Sequence, residues 1–84
     1  MKVRLKLFAT LTAHLPPEAR RAGLVDLEVA PGTTVQGLIQ QHRLPPQLCT
    51  LVLINGLFIS PQEQSGWALN EGDVLAIWPP VGGG

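Results

Sequence analysis

Strand-like segments outnumber helical ones in this chain by five to one, and the single helical stretch lies near its middle. Lys2-Val3-Arg4-Leu5-Lys6-Leu7-Phe8 alternates with period two, the mark of a half-buried strand. Val3, Leu5 and Leu7 face the core in that reading, and Lys2, Arg4, Lys6 and Phe8 face away. Leu24 to Val29 alternates again, with Val25, Leu27 and Val29 on one face, until Pro31-Gly32 turns the chain. Leu51-Val52-Leu53-Ile54 is a continuous apolar run of central-strand length. Asn55-Gly56 is a strong hairpin signal that returns the chain through Leu57-Phe58-Ile59. Val74-Leu75-Ala76-Ile77-Trp78 is the last strand, entered from the turn Asn70-Glu71-Gly72-Asp73. Between the second and third strands, Thr33 or Thr34 offers an N-cap, and Val35, Leu38, Ile39 and His42 share one helical face. Gly37 weakens that helix by about 1 kcal/mol relative to alanine and is expected to let it pack closely on the sheet. Pro45-Pro46 ends it. Residues 10–23, with Pro16-Pro17 and Gly23, lack a clean period and predict a loop with one helical turn after the prolines. The order β-β-α-β-β-β defines an α+β roll, a mixed sheet of about five strands packed on one central helix.

An 84-residue chain holds one domain, and at that size only roughly 60–65% of the unfolded surface is buried. Six basic and six acidic side chains cancel without forming runs, which argues against nucleic acid or an anionic membrane as partner. The lone Cys49 permits no internal disulfide, the start is not an apolar signal segment, and no apolar run could span a bilayer. The expectation is a small soluble cytoplasmic domain. His14, His42 and Cys49 are too scattered for a metal site, so none is expected. Cys49, between Leu48 and Leu51, reads as a core thiol. Gly23, Gly32 and Gly37 lack the context of a phosphate loop. Asp73 reads as a turn residue without catalytic role, and Glu18, Asp26, Glu28, Glu63 and Glu71 are not grouped. A chain so sparsely equipped is expected not to be an enzyme on its own and to bind no cofactor.

Two features point to partners instead. Pro79-Pro80-Val81-Gly82-Gly83-Gly84 follows the last strand directly. The prolines restrict φ and the glycines carry no side chain, so residues 79–84 predict a flexible thread leaving a domain of residues 1–78. A thread ending in a carboxylate can enter another protein's narrow active site. Frayed termini and cloning remnants also end in glycine, but the strand and Pro-Pro leading into this one favour a working tail. The second feature is an apolar patch on the sheet face away from the helix. If Leu75 and Ile77 point inward, Val74, Ala76 and Trp78 point outward with Phe8, and Phe58 joins them if the hairpin register allows. Such a patch beside the tail predicts a docking surface, unless a loop covers it or the alternation is displaced by one residue.

Val52-Leu53-Ile54-Asn55-Gly56, the segment from Glu71-Gly72-Asp73 through Trp78-Pro79-Pro80-Val81, and the terminal glycines together carry a resemblance. The chain resembles the ubiquitin-like β-grasp sulfur carriers of the MoaD/ThiS type over essentially its whole length, above all the small-subunit branch of molybdopterin synthase. Val3-Arg4-Leu5-Lys6-Leu7-Phe8-Ala9 also fits that branch. The resemblance implies an adenylating partner, akin to ubiquitin-activating enzymes, that uses ATP to convert the Gly84 carboxylate to an acyl-adenylate. A sulfur donor then displaces AMP and leaves a thiocarboxylate. In the molybdopterin branch the tail enters a large catalytic subunit and gives its sulfur to a pterin precursor. Gly82 and Gly83 would lie in a channel too narrow for a Cβ, with Pro79, Pro80 and Val81 threading toward it. Phe8, Phe58, Trp78, Val74 and Ala76 would dock. Triple glycine departs from the molybdopterin pattern and is more at home among thiamine-type carriers; tRNA-thiolation carriers also remain open. A modifier forming isopeptide bonds through Gly84, or a binding module without tail chemistry, are the competing readings.

Overall fold

The computed structural model describes residues 1–80. Five strands form one mixed sheet: β1 (Lys2–Leu7), β2 (Leu24–Glu28), β3 (Leu51–Ile54), β4 (Leu57–Phe58) and β5 (Val74–Trp78), with helix α1 at Val35–Gln41 between β2 and β3. The sheet order is β2-β1-β5-β3-β4. β1 is antiparallel to β2 from Lys2↔Glu28 to Lys6↔Leu24, and parallel to β5 from Arg4↔Val74 to Leu7↔Ile77. β5 in turn runs antiparallel to β3, from Leu51↔Trp78 to Ile54↔Leu75. A parallel pair needs a long crossover, and here the whole middle of the chain, α1 included, lies between its two strands. The β-β-α-β-β-β order read from the sequence is the order found.

Strand parity fills the core. Val3, Leu5 and Leu7 of β1, Val52 and Ile54 of β3, and Leu75 and Ile77 of β5 are buried in one cluster with Val35, Leu38 and Ile39 of α1. Leu11, Leu15, Ile59 and Leu69 join it from the connections. The segment read as a loop after β1 contains two 3₁₀ helices, Ala9–His14 and Pro17–Ala19. The second is the helical turn expected after Pro16-Pro17. The first was not expected; it turns Leu11 into the core.

Thr34, not Thr33, caps α1: its Oγ1 accepts from the Gly37 amide at 3.0 Å, while the Thr33 hydroxyl donates to the Ala30 carbonyl at 2.7 Å. This corrects the expectation for Gly37. A Cβ there would stand 3.2 Å from Thr34 Oγ1 and meet no atom of the sheet, so its missing side chain makes room for the cap. His42 follows α1 half-buried, and desolvation lowers its pKa. At the β3–β4 turn, Asn55 and Gly56 have φ of +50° and +86°. Positive φ at both central positions is the type I′ hairpin that Asn-Gly favours.

Candidate docking face and tail base

The outer face of the sheet is assembled by register. Lys6 pairs with Leu24 on one side and Ala76 on the other; Ala76 is opposite Leu53, and Leu53 is opposite Phe58. The hairpin register therefore puts Phe58 on the same face as Ala76, and its side chain is 52% exposed. One register step away, Trp78 pairs with Leu51, which is 39% exposed. The face is graded. Its β2–β1 end carries Lys2, Arg4, Asp26 and Glu28, with Arg4 Nε donating to Asp26 Oδ1 at 2.7 Å. Its β5–β3–β4 end carries Val74, Ala76, Trp78, Leu51, Leu53 and Phe58.

Phe8 and Trp78 are not separate anchors, as alternation alone suggests. Their rings stack, with centroids 3.8 Å apart and planes 5° from parallel, and each is half-buried. The Phe8 amide donates to the Ile77 carbonyl at 3.3 Å, extending the β1–β5 ladder by one bond and bringing the rings together. Ala76 and Val74 also depart from the exposed placement: Ala76 is buried, the floor of the patch between Lys6 and Leu53, and Val74 is half-buried. The ladder ends at Trp78, whose carbonyl accepts from the Thr50 amide at 3.0 Å. Pro79 and Pro80 have no N–H with which to continue it. The chain thus leaves the sheet beside the stacked rings. Val81, Gly82, Gly83 and Gly84, the remainder of the expected tail, lie outside the described residues.

Asp73 is more than a turn residue. It is buried; its Oδ1 accepts from Asn55 Nδ2 at 2.9 Å and its Oδ2 from the Asn70 amide at 2.8 Å. Asn55 Oδ1 accepts in turn from the Val74 amide at 2.9 Å. This clasp joins the β3–β4 turn to the start of β5. The pairing of Asn-Gly with Gly-Asp was the available sequence signal, but spacing alone does not reveal that they meet. Cys49 is half-buried against the core, its thiol donating to the Pro45 carbonyl at 3.4 Å, and burial pushes its pKa up. A thiol held protonated is a poor nucleophile, in keeping with a packing role. Among the described residues no group of three or more His, Cys, Asp or Glu could hold a metal ion, and no helix is long and apolar enough to cross a membrane.

A five-stranded mixed sheet with one helix between its antiparallel arms and a parallel central pair is the ubiquitin-like β-grasp fold. The sequence model of the ThiS family matches residues 7–84, and the chain belongs to that family. Its members are small carrier proteins without catalysis of their own, and this chain is such a protein. Solved structures agree. The HVO 2177 protein of Haloferax volcanii superposes with a TM-score of 0.76 at 25% identity, over 100% of this chain and 87% of that one. SAMP1, small archaeal modifier protein 1 of the same organism, gives 0.66 at 28% identity over 100% of both chains. The complex of subunits 1 and 2 of the molybdopterin-converting factor from Helicobacter pylori 26695 gives 0.59 at 18% identity over 100% of both, a likeness of fold. A search of curated protein sequences finds no match.

Proposed function

We propose that this chain is a sulfur carrier whose Gly84 carboxylate is activated and thiolated by other proteins, and that it serves molybdopterin synthesis. The observation that carries the reading is the family match running through residue 84, on a chain whose last strand ends beside an apolar patch and passes into Pro-Pro-Val-Gly-Gly-Gly. The chemistry follows from the weakness of a carboxylate as an electrophile. A Gly84 oxygen attacks the α-phosphorus of ATP and pyrophosphate leaves; a sulfide-equivalent nucleophile then attacks the acyl carbon and AMP leaves. ATP is bound by the adenylating partner, and this chain holds no cofactor. Residues 1–78 are the carrier body and 79–84 the thread. Phe8, Trp78 and Phe58 are the docking contacts, with Val74 and Ala76 as the floor between them. Gly72-Asp73 and Pro79-Pro80-Val81 support the molybdopterin branch, with a large catalytic subunit as acceptor. The third glycine, Gly82, supports thiamine-type or tRNA-thiolation carriers as the alternative.

A second reading has its own support. SAMP1 is named a modifier and is similar to this chain across the full length of both, so isopeptide formation through Gly84 is the competing outcome of the same adenylation. The test is activation of purified protein by the adenylating enzyme of its native host. Wild type should form an acyl-adenylate with release of pyrophosphate, and deletion of Gly83-Gly84 should abolish it while leaving the melting temperature unchanged. No adenylate on wild type would overturn the reading. Lysine-linked conjugates in host extract, without thiocarboxylate, would favour the modifier.

A further inference from the structure

Charge is distributed unevenly around the tail base. Beside the stacked Phe8 ring lies an open groove of about 310 Å³, and Lys6, Phe8, Thr12, Arg20, Arg21 and Leu24 form its working wall. Three of the chain's six basic residues line it, and none of its six acidic residues does. The acids are engaged elsewhere. Asp26 pairs with Arg4 and Glu28 with the Met1 ammonium. Glu63 accepts from Ser60, Glu71 from the Lys2 amide, and Asp73 from Asn55. Glu18, on the Pro17–Ala19 helix, is exposed and outside the lining.

The loop after β1 brings two of these cations to the groove, and one of them is held by a hydrogen bond. Ala9, at φ +52°, turns the chain away after Phe8, and Gly23, at +75°, brings it back so that its carbonyl accepts from the Leu7 amide at 2.9 Å. That loop sets Arg20 and Arg21 beside the end of β1. Arg20 Nε donates to the Leu15 carbonyl at 3.0 Å, which fixes the side chain, while among the described residues neither arginine nor Lys6 forms an ion pair. In a chain of zero net charge, three cations without an ion pair among the described residues surround one groove bordering an apolar patch. They form a charged rim on an apolar centre, the layout of a protein–protein contact.

We propose that this groove receives an acidic segment of the adenylating partner, its carboxylates meeting Lys6, Arg20 and Arg21 while Phe8, Trp78 and Phe58 seat on apolar surface. The inference rests on the carrier reading above. Rim charges of this kind act mainly on encounter rate and register, and their effect is screened within about 8 Å at physiological ionic strength. The test is steady-state adenylation of K6E/R21E, which spares Arg20 and its bond to Leu15, against K2E/R43E, which has the same net charge and lies outside the groove. The expected result is a rise of about tenfold in KM for the carrier in K6E/R21E at low salt, with kcat unchanged. K2E/R43E should change far less. Added salt should raise the wild-type KM and flatten the difference, and melting temperatures should show both variants folded. Equal KM values and salt slopes for wild type and K6E/R21E would overturn the proposal while leaving the carrier reading intact. A rise in KM for ATP instead would mean that the groove meets nucleotide phosphate, and would also overturn it. Wild type that accepts no adenylate would remove the carrier reading and this inference together.

Discussion

Asn55 and Asp73 stand 18 residues apart in the chain and 2.9 Å apart in the fold. Each satisfies the other and a backbone amide, so losing either orphans a partner. Asn55→Ala removes two hydrogen bonds and places alanine at φ +50°, a conformation that asparagine tolerates better. It should destabilise the protein by about 1–3 kcal/mol, which for a domain of this size lowers the melting temperature by roughly 4–8 °C per kcal/mol. Asp73→Asn tests the polarity of the clasp: whichever way its amide points, an N–H group faces Asn55 Nδ2 or the Asn70 amide. Thermal melts matching wild type for both variants would contradict this account. Titration offers a second residue-scale test. Burial lowers the His42 pKa from its ordinary 6.5, so the unfolded chain binds the proton first, and stability should fall as pH drops from 6.5 toward the folded value. Asp26, held low by its hydrogen bond from Arg4, and Glu28, held low by the Met1 ammonium, act in the same direction further down. Their contribution is present above the ordinary carboxylate values of 3.8 and 4.5 and is lost as pH falls through the depressed folded values. Melting temperature against pH should therefore decline in two stages, and His42→Gln should erase only the upper one.

The elements divide into those that local pattern decides and those that it does not. β1 and β2 announce themselves by period two, α1 by Val35, Leu38 and Ile39, and the hairpin by Asn55-Gly56. All were legible because each depends on neighbours within a few residues. The 3₁₀ helix at Ala9–His14 was not. It is held by the burial of Leu11 against distant strands, and a single buried position has no period to read. The same holds for Leu69 and for the half-buried Trp67 packed against the core, both supplied by connections, whereas Ile59, read as the end of the return strand, lies buried just past β4. On the candidate face, parity turned Phe8 and Trp78 outward, but it left Phe58 open until the hairpin register placed it opposite Leu53. It could not show the ring stack or the burial of Ala76, which follow from pairing β1 with β5 in parallel and β5 with β3. The groove between Phe8 and Gly23 escaped for the same reason. At this scale the N-cap is the clearest test. Thr34→Ala should cost about 1 kcal/mol, because the Gly37 amide loses its acceptor, whereas Thr33→Ala should cost less. Chemical denaturation checks the order of the two, and a greater loss at Thr33 would contradict the cap assignment.

At the scale of the whole molecule, the stability of the body should be separable from the competence of the proposed tail. The core lies between α1 and the inner face of the sheet, while Phe58 stands on the outer face, half exposed and outside the buried cluster. Phe58→Ser should therefore change stability by no more than about 0.5 kcal/mol, yet raise KM for the carrier in adenylation. Trp78→Ala should affect both, since its ring covers Phe8 as well as forming part of the patch. Equal activation kinetics for Phe58→Ser and wild type would remove Phe58 from the docking face. The central claim, that sulfur travels on Gly84, is tested most directly by the intact mass of the protein from its native host, with its C-terminus untagged and its terminal peptide sequenced. The account predicts a fraction in which one carboxylate oxygen of Gly84 is replaced by sulfur, increasing when the acceptor pathway is blocked. A Gly84 that carries only oxygen under that block, in cells where the adenylating enzyme is present, would contradict it.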